Sequence, residues 1–311
     1  MISLEQIRAA ADLIRQGKLV AFPTETVYGL GANAFDPAAV ARIYEAKGRP
    51  SASPLIVHVA STEMAREVAS EWPETAETLA GRYWPGPLTL VLPKQPRVPD
   101  IVTAGLPTVG IRVPAHPVAL ALIRLAGVPI AAPSANRFTG LSPTTAAHVQ
   151  DSLGSAVDLI LDGGPTDVGI ESTVLSLAGP RPVLLRPGMV SESEIEEWIG
   201  PIDAAPEAGP GPHASPGMHR KHYSPRTRLL LVQGGAVPDR GQGGYAALHS
   251  EPSGPVARLV RMPPDPAMYA AVLYETLHRL DREGLDWIAV ERPPERPDWA
   301  AILDRLKRAA E

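Results

Sequence analysis

Cysteine is absent from the 311 residues, which excludes disulfides, thiolate zinc sites and cysteine nucleophiles together and leaves the redox compartment undetermined. The eight histidines form no HExxH, and neither GxxxxGKS nor GxxxxGKT occurs, so a zincin centre and a P-loop are excluded as well. Aromatics make up 5% of the chain and the net charge is -5. Both weigh against a protein that coats nucleic acid by charge and stacking alone, though a local basic pocket stays open. No stretch reaches eighteen apolar residues, and the first helical segment carries Glu5, Arg8, Asp12 and Arg15. Neither a signal sequence nor a membrane span is expected, and the reading is a soluble cytoplasmic protein.

What is abundant is proline and glycine, at 35 and 27 residues, roughly a fifth of the chain against an average near an eighth. They are densest from Gly200 to Lys221, where a helix cannot form. Hydrophobic residues at 44% suffice for a buried core, and the length favours two domains. The expected division is a first domain over 1–200, a Pro/Gly-rich linker over 201–225 that covers the active site, and a small Rossmann-like domain over 226–311.

Ser3 and Gln6 form a capping-box pattern before the stripe Leu4, Ile7, Ala11, Ile14, and Gly17 stops that helix. A strand follows at Leu19 to Phe22. Asp36 and Pro37 begin a second helix that Gly48 ends. Further strands are predicted at 55–59, 88–92, 109–113, 129–132, 159–161, 172–177 and 183–185, with helices near 62–71, 74–83, 117–126, 143–152 and 192–199. Strands and helices mix without strict alternation, which predicts an α/β fold with an open mixed sheet and helices on its faces. Beyond the linker, strands at 229–232, 245–248, 256–261 and 287–290 surround a helix from Pro266 to Arg282, and a last helix starts at Trp299.

Lys47 and Arg49, one glycine apart at a helix exit, are either solvated charges complementing the helix dipole or a grip for a polyanion. His58 lies in the apolar strand PLIVHV and Arg112 in VGIRVP, and a guanidinium there needs a carboxylate, from the protein or from a substrate. Short hydroxyl and amide side chains in PSANRFTGLSP, 133–143, suit phosphate oxygens or a hydrated metal. Glu171, Ser172, Thr173 and Arg186 are polar residues at strand ends, where open sheets bind ligands. The run Gly29 to Ala34 spells a weak dinucleotide fingerprint, separated from the preceding strand by the polar stretch Thr24 to Tyr28.

Taken together, FPTETVYGLG, KGRP with SPLIVHV, WPGPLTLVL, VGIRVP, APSANRFTG, ESTV and LLRPG run in order through the first 200 residues. They resemble the YrdC-type threonylcarbamoyl-AMP synthases, and SPGMHRKHYSP with the extra α/β region resembles the long form. The resemblance implies a YrdC-like twisted sheet around a basic cavity, plus a smaller Rossmann-like α/β C-terminal domain. It implies a nucleotidyltransferase that makes L-threonylcarbamoyladenylate and pyrophosphate from L-threonine, bicarbonate or CO2, and ATP. A TsaD-type transferase would then complete threonylcarbamoyladenosine (t6A) in tRNA.

By the same resemblance Lys47 and Arg49 are the catalytic pair. ATP falls to Lys47, Arg49, Ser53, Thr108, Ser134, Asn136, Ser142, Arg186 and Tyr223. Threonine falls to Thr26, His58, Arg112, Ala132 and Ser172. Mg2+ enters through the ATP phosphates, with Ser134 and Asn136 as candidate ligands. The rival readings are an RNA-binding module of the same fold without adenylation, and the carbamoyl-transfer domain of hydrogenase maturation, whose acylphosphatase-like and zinc-finger regions the sequence lacks.

Overall fold

In the computed structural model, which describes residues 2–50, 53–205 and 222–310, two sheets carry the architecture. The first region runs α1 (Leu4–Arg15), β1 (Val20–Phe22), β2 (Gly29–Asn33), α2 (Pro37–Lys47), β3 (Ile56–His58), α3 (Thr62–Arg66), α4 (Glu74–Tyr83), β4 (Leu88–Pro93), α5 (Asp100–Thr103), β5 (Thr108–Arg112), α6 (Pro117–Ala126), β6 (Ile130–Ala131), α7 (Ala146–Leu153), β7 (Leu159–Ile160), β8 (Thr173–Ser176), β9 (Val183–Arg186), α8 (Glu192–Ile199) and β10 (Asp203–Ala204). Its ten strands form one mixed sheet in the order β10-β9-β8-β4-β5-β3-β6-β2-β1-β7. The second region holds β11 (Arg228–Val232), β12 (Gly243–Ala247), β13 (Arg258–Arg261), α9 (Pro266–Asp281), β14 (Trp287–Glu291) and α10 (Ala300–Ala309), with an all-parallel sheet ordered β11-β14-β12-β13.

Local chemistry sets the helix ends. The Ser3 side chain accepts from the Gln6 amide while Gln6 Oε1 accepts from the Ser3 amide, so the capping box forms. Asp36 accepts from the amides of Ala38 and Ala39, and Gly48 closes α2 in the left-handed region at φ 60°. α2 therefore delivers Lys47 and Arg49 to a defined place.

Three expectations change. The helix expected over 62–71 ends at Arg66, because Ala69 leaves it to bridge Lys94 and the Ser70 amide bonds the Pro93 carbonyl. Gly29–Asn33 is a strand, antiparallel to both β1 and β6, so it is no dinucleotide loop opening a helix. A Cβ on Gly31 would stand 2.7 Å from the Phe22 ring and 2.8 Å from Ile130 Cγ2, so glycine serves close strand packing there. Finally, Asp203–Ala204 pairs in parallel with Val183–Leu184, so the start of the expected linker extends the large sheet. Residues 206–221 of that linker lie outside the described residues.

One apolar cluster lies between the large sheet and α2, built on Leu30, Val40, Ile43, Val57, Leu90 and Ile111. Another packs α1 and α6 on β1 and β6. A third crosses between the regions: Val27, Leu141, Ile170 and Tyr223 pack with Tyr269, Tyr274, Leu277, Trp299 and Leu306. The second region is docked on the loops of the first. Gly169 marks how closely, since a Cβ there would lie 2.3 Å from the Ala270 carbonyl oxygen on α9. Among the described residues no helix is long and apolar enough to cross a membrane.

Candidate active site

β3 and β5 lie side by side near the centre of the large sheet, with His58 opposite Arg112. Ile56 and His58 are two residues apart on β3 and so share one face. That face looks into a cavity that opens to solvent and is lined by Thr26, Arg49, His58, Arg112, Ser172 and Arg186 among others.

The cations are buried. Burial first, joined by repulsion from Arg186, lowers the Arg49 guanidinium to about 10 against the raising influence of Tyr44 and Tyr223. Its Nη2 donates to the Ser53 hydroxyl and to the Pro54 carbonyl at 3.0 Å, while its Nε finds no acceptor among the described residues. A buried guanidinium N–H without a partner is costly unless a ligand oxygen supplies one. Arg186 donates through Nε to the Ser172 carbonyl at 3.1 Å and through Nη2 to Ser172 Oγ at 3.2 Å. Ser172 Oγ is also 2.8 Å from Thr89 Oγ1.

Lys47 is 2% exposed, and burial followed by repulsion from Arg49 holds its ammonium well below the usual lysine range. It does not line the cavity. Its Nζ donates to the carbonyls of Ser134 and Asn136 and lies 3.4 Å from Asn136 Oδ1. The expected phosphate ligand is thus a clamp on the 134–136 loop, and Asn136 Nδ2 ties the same loop to the Arg137 and Gly140 carbonyls.

The expected threonine residues form a second group. Arg112 donates through Nε to the Gly86 carbonyl and through Nη1 to Thr26 Oγ1 at 3.0 Å. Its Nη2 lies 2.7 Å from Glu25 Oε1, an ion pair whose axis departs from that of a hydrogen bond. The protein partner that a strand arginine requires is therefore Glu25, whose other oxygen accepts from the Ala115 amide. His58 is lowered to about 3, by burial first and then by Arg112, so it is a neutral imidazole. Its Nδ1 has no partner among the described residues. Ala132 spends its amide on the Ile56 carbonyl and lines the cavity beside Ser134.

Two further candidates stand close behind. Ser142 donates to Glu171 Oε1, and Tyr223 lines the cavity from the other end of the linker, buried, with φ 61°. Burial acts to raise the Glu171 carboxyl, but Arg305, Arg186 and the Ser142 hydroxyl hold it below the ordinary value. Thr108 is not brought in. It starts β5, and at about 3.3 Å per residue it lies about 13 Å from Arg112, away from the lining residues.

Glu25, Thr24 and Arg305 were not singled out by the sequence. The first two sat inside the polar stretch between β1 and β2, and Arg305 shares the apolar stripe of α10 with Ile302, Leu306 and Ala309, a signal that could have exposed it. Among the described residues no three histidine, aspartate or glutamate side chains gather as metal ligands. Asn136 Oδ1 already faces the Lys47 ammonium, so a divalent ion would fit here through phosphate oxygens and not in a protein cage.

Comparison with known proteins agrees with this geometry. Residues 12–188 match the Sua5_yciO_yrdC family model, described as telomere recombination. Residues 190–311 match the model described as threonylcarbamoyl-AMP synthase, C-terminal domain. A threonylcarbamoyl-AMP synthase from Pyrococcus abyssi is 45% identical over 319 residues, covering 98% of this chain and 94% of the relative. That of Bacillus subtilis is 45% identical over 328 residues, covering 98% and 93%. The crystal structure of P. abyssi Sua5 complexed with L-threonine matches with a TM-score of 0.93 at 43% identity, over 100% of this chain and 95% of that one.

Proposed function

The chain belongs to the Sua5, YciO and YrdC family in its two-domain form, and from that premise we propose that it is a threonylcarbamoyl-AMP synthase. It joins L-threonine, bicarbonate or CO2, and ATP, and releases L-threonylcarbamoyladenylate and pyrophosphate. The relatives of that name and the threonine complex of the P. abyssi protein support the reading. A single observation carries it from the structure: buried Arg49, with an Nε that lacks an acceptor among the described residues, lines one cavity with Arg112, Thr26 and His58.

In this reading Arg49 and Arg186 receive the triphosphate, with Ser53, Ser134, Ser142 and Tyr223 around it. Lys47 sets the loop that carries Ser134 and Asn136, and Thr108 acts only from outside the cavity. Arg112 turns toward the threonine carboxylate while Thr26, Ser172 and the Ala132 backbone fix the rest of the amino acid. Neutral His58 offers Nδ1 without adding charge next to Arg112. The threonine amine attacks CO2 to give a carbamate, one carbamate oxygen attacks the α-phosphorus, and pyrophosphate leaves. Positioning and charge neutralisation supply the rate, since no protein nucleophile is needed.

Mg2+ carried on the ATP phosphates would add charge neutralisation; of the two candidate residues Ser134 lines the cavity, while Asn136 Oδ1 faces the Lys47 ammonium. The product would pass to a TsaD-type transferase for t6A formation in tRNA. The test is pyrophosphate release from ATP and bicarbonate with each amino acid in turn. Threonine dependence is expected, and release that is the same without threonine would overturn the assignment.

A further inference from the structure

The last helix places a guanidinium directly behind the cavity wall. Arg305 is 1% exposed. Its Nε donates to Glu171 Oε2 at 2.7 Å and its Nη2 to the Glu171 carbonyl at 3.3 Å, while Nη1 holds Asp304 at 2.7 Å. Tyr274, on α9, adds its hydroxyl to Glu171 Oε2 at 3.1 Å. From the first region the Ser142 hydroxyl donates to the same carboxylate. The guanidinium carbon of Arg305 also lies 5.3 Å from the centre of the Tyr223 ring.

Glu171 lines the cavity and precedes Ser172, which receives Arg186. A carboxylate on the wall of a triphosphate site opposes its ligand, and removing its cation leaves a buried, uncompensated charge. Arg305 lies on α10 and not on a strand of the parallel sheet. Its donors are turned on Glu171 and on its own neighbour Asp304.

We infer that Arg305 is a positioning residue of the adenylation site: it holds Glu171 from behind, cancels that carboxylate's charge at the cavity wall, and so keeps Ser142, Ser172 and Arg186 set for the nucleotide. The second domain is then a working part of the site and not an appendage. This inference rests on the proposed ATP-dependent function.

The experiment uses the full chain and measures ATP affinity by titration calorimetry without threonine, with thermal unfolding and pyrophosphate release alongside. Arg305→Met is expected to weaken ATP binding about tenfold or more, and adding Glu171→Gln to that variant is expected to return the affinity to within about threefold of wild type. Arg305→Gln, which keeps hydrogen bonding and loses the charge, replaces Arg305→Met if the latter fails to fold, and the same outcomes apply. A packing role alone would lower the unfolding midpoint and leave ATP affinity at the wild-type value. That result, or a double variant as weak as the single one, would overturn the inference. Pyrophosphate release by the wild type tests the function separately from the ratio of ATP affinities.

Discussion

Arg112 Nη2 stands 2.7 Å from Glu25 Oε1, with both side chains buried and the two residues 87 positions apart in the chain. One guanidinium therefore serves the Gly86 carbonyl, the Thr26 hydroxyl and Glu25 before any substrate arrives. Arg112→Lys removes the fork that makes this possible. The KM for threonine is expected to rise about 10- to 100-fold, with the KM for ATP within about threefold of wild type. Equal changes in both would place Arg112 outside the threonine site.

Lys47 acts through the loop it clamps. With its ammonium on the Ser134 and Asn136 carbonyls, Lys47→Ala frees the loop and leaves two buried acceptors unmet. Turnover with ATP is expected to fall at least about 100-fold, while circular dichroism stays that of the folded chain. Full ATP-to-pyrophosphate activity in this variant would remove Lys47 from the mechanism.

Acid stability follows from two buried histidines, His58 and His148, and the half-buried His278. His58 and His148 are lowered to about 3 and His278 to about 4, each mainly by burial. Below about 6.5 the unfolded chain takes up protons that the native protein refuses, so stability is lost as pH falls from 6.5 toward those values. The slope is about 1.4 kcal/mol per pH unit for each histidine. Urea unfolding at pH 6.5 and 5.5 should show this loss, and a His148→Gln, His278→Gln variant should lose a large part of the slope. A flat profile would contradict the neutral assignment.

Gly169 tests the contact between the two regions. Its φ is 77°, and the added Cβ of Gly169→Ala would lie 2.3 Å from Ala270 O and 2.6 Å from Ala271 Cα. Backbone cannot yield as a flexible side chain does, so a cost of about 2 kcal/mol or more is expected. Differential scanning calorimetry should show the unfolding midpoint lowered by about 4 °C or more. An unchanged midpoint would mean that α9 does not sit on this loop.

Much of this was legible in the chain because the signals were local. Asp36, Pro37 and Gly48 bracket α2 by capping chemistry alone, and Arg112 in an apolar strand announced a buried partner. Which partner it takes was not legible, since only the closed fold brings Glu25 to it. β2 was missed because Gly29, Gly31 and Ala32 have little strand preference of their own. Pairing with β1 and β6 imposes the extended form, and the space beside Phe22 demands the glycine. Thr108 shows another limit: a matching motif assigned it to ATP, and at the start of β5 it is not among the residues that line the cavity.

The pairing of Glu171 with Arg305 spans 134 residues of chain, and a ribosome makes its two halves in that order. At about 5–20 residues per second, about seven seconds or more separate the acid from its cation. During that interval the nascent first domain holds the Glu171 carboxylate without the Arg305 guanidinium. Completion of the last helix is thus the moment at which the newborn enzyme becomes electrically ready for ATP.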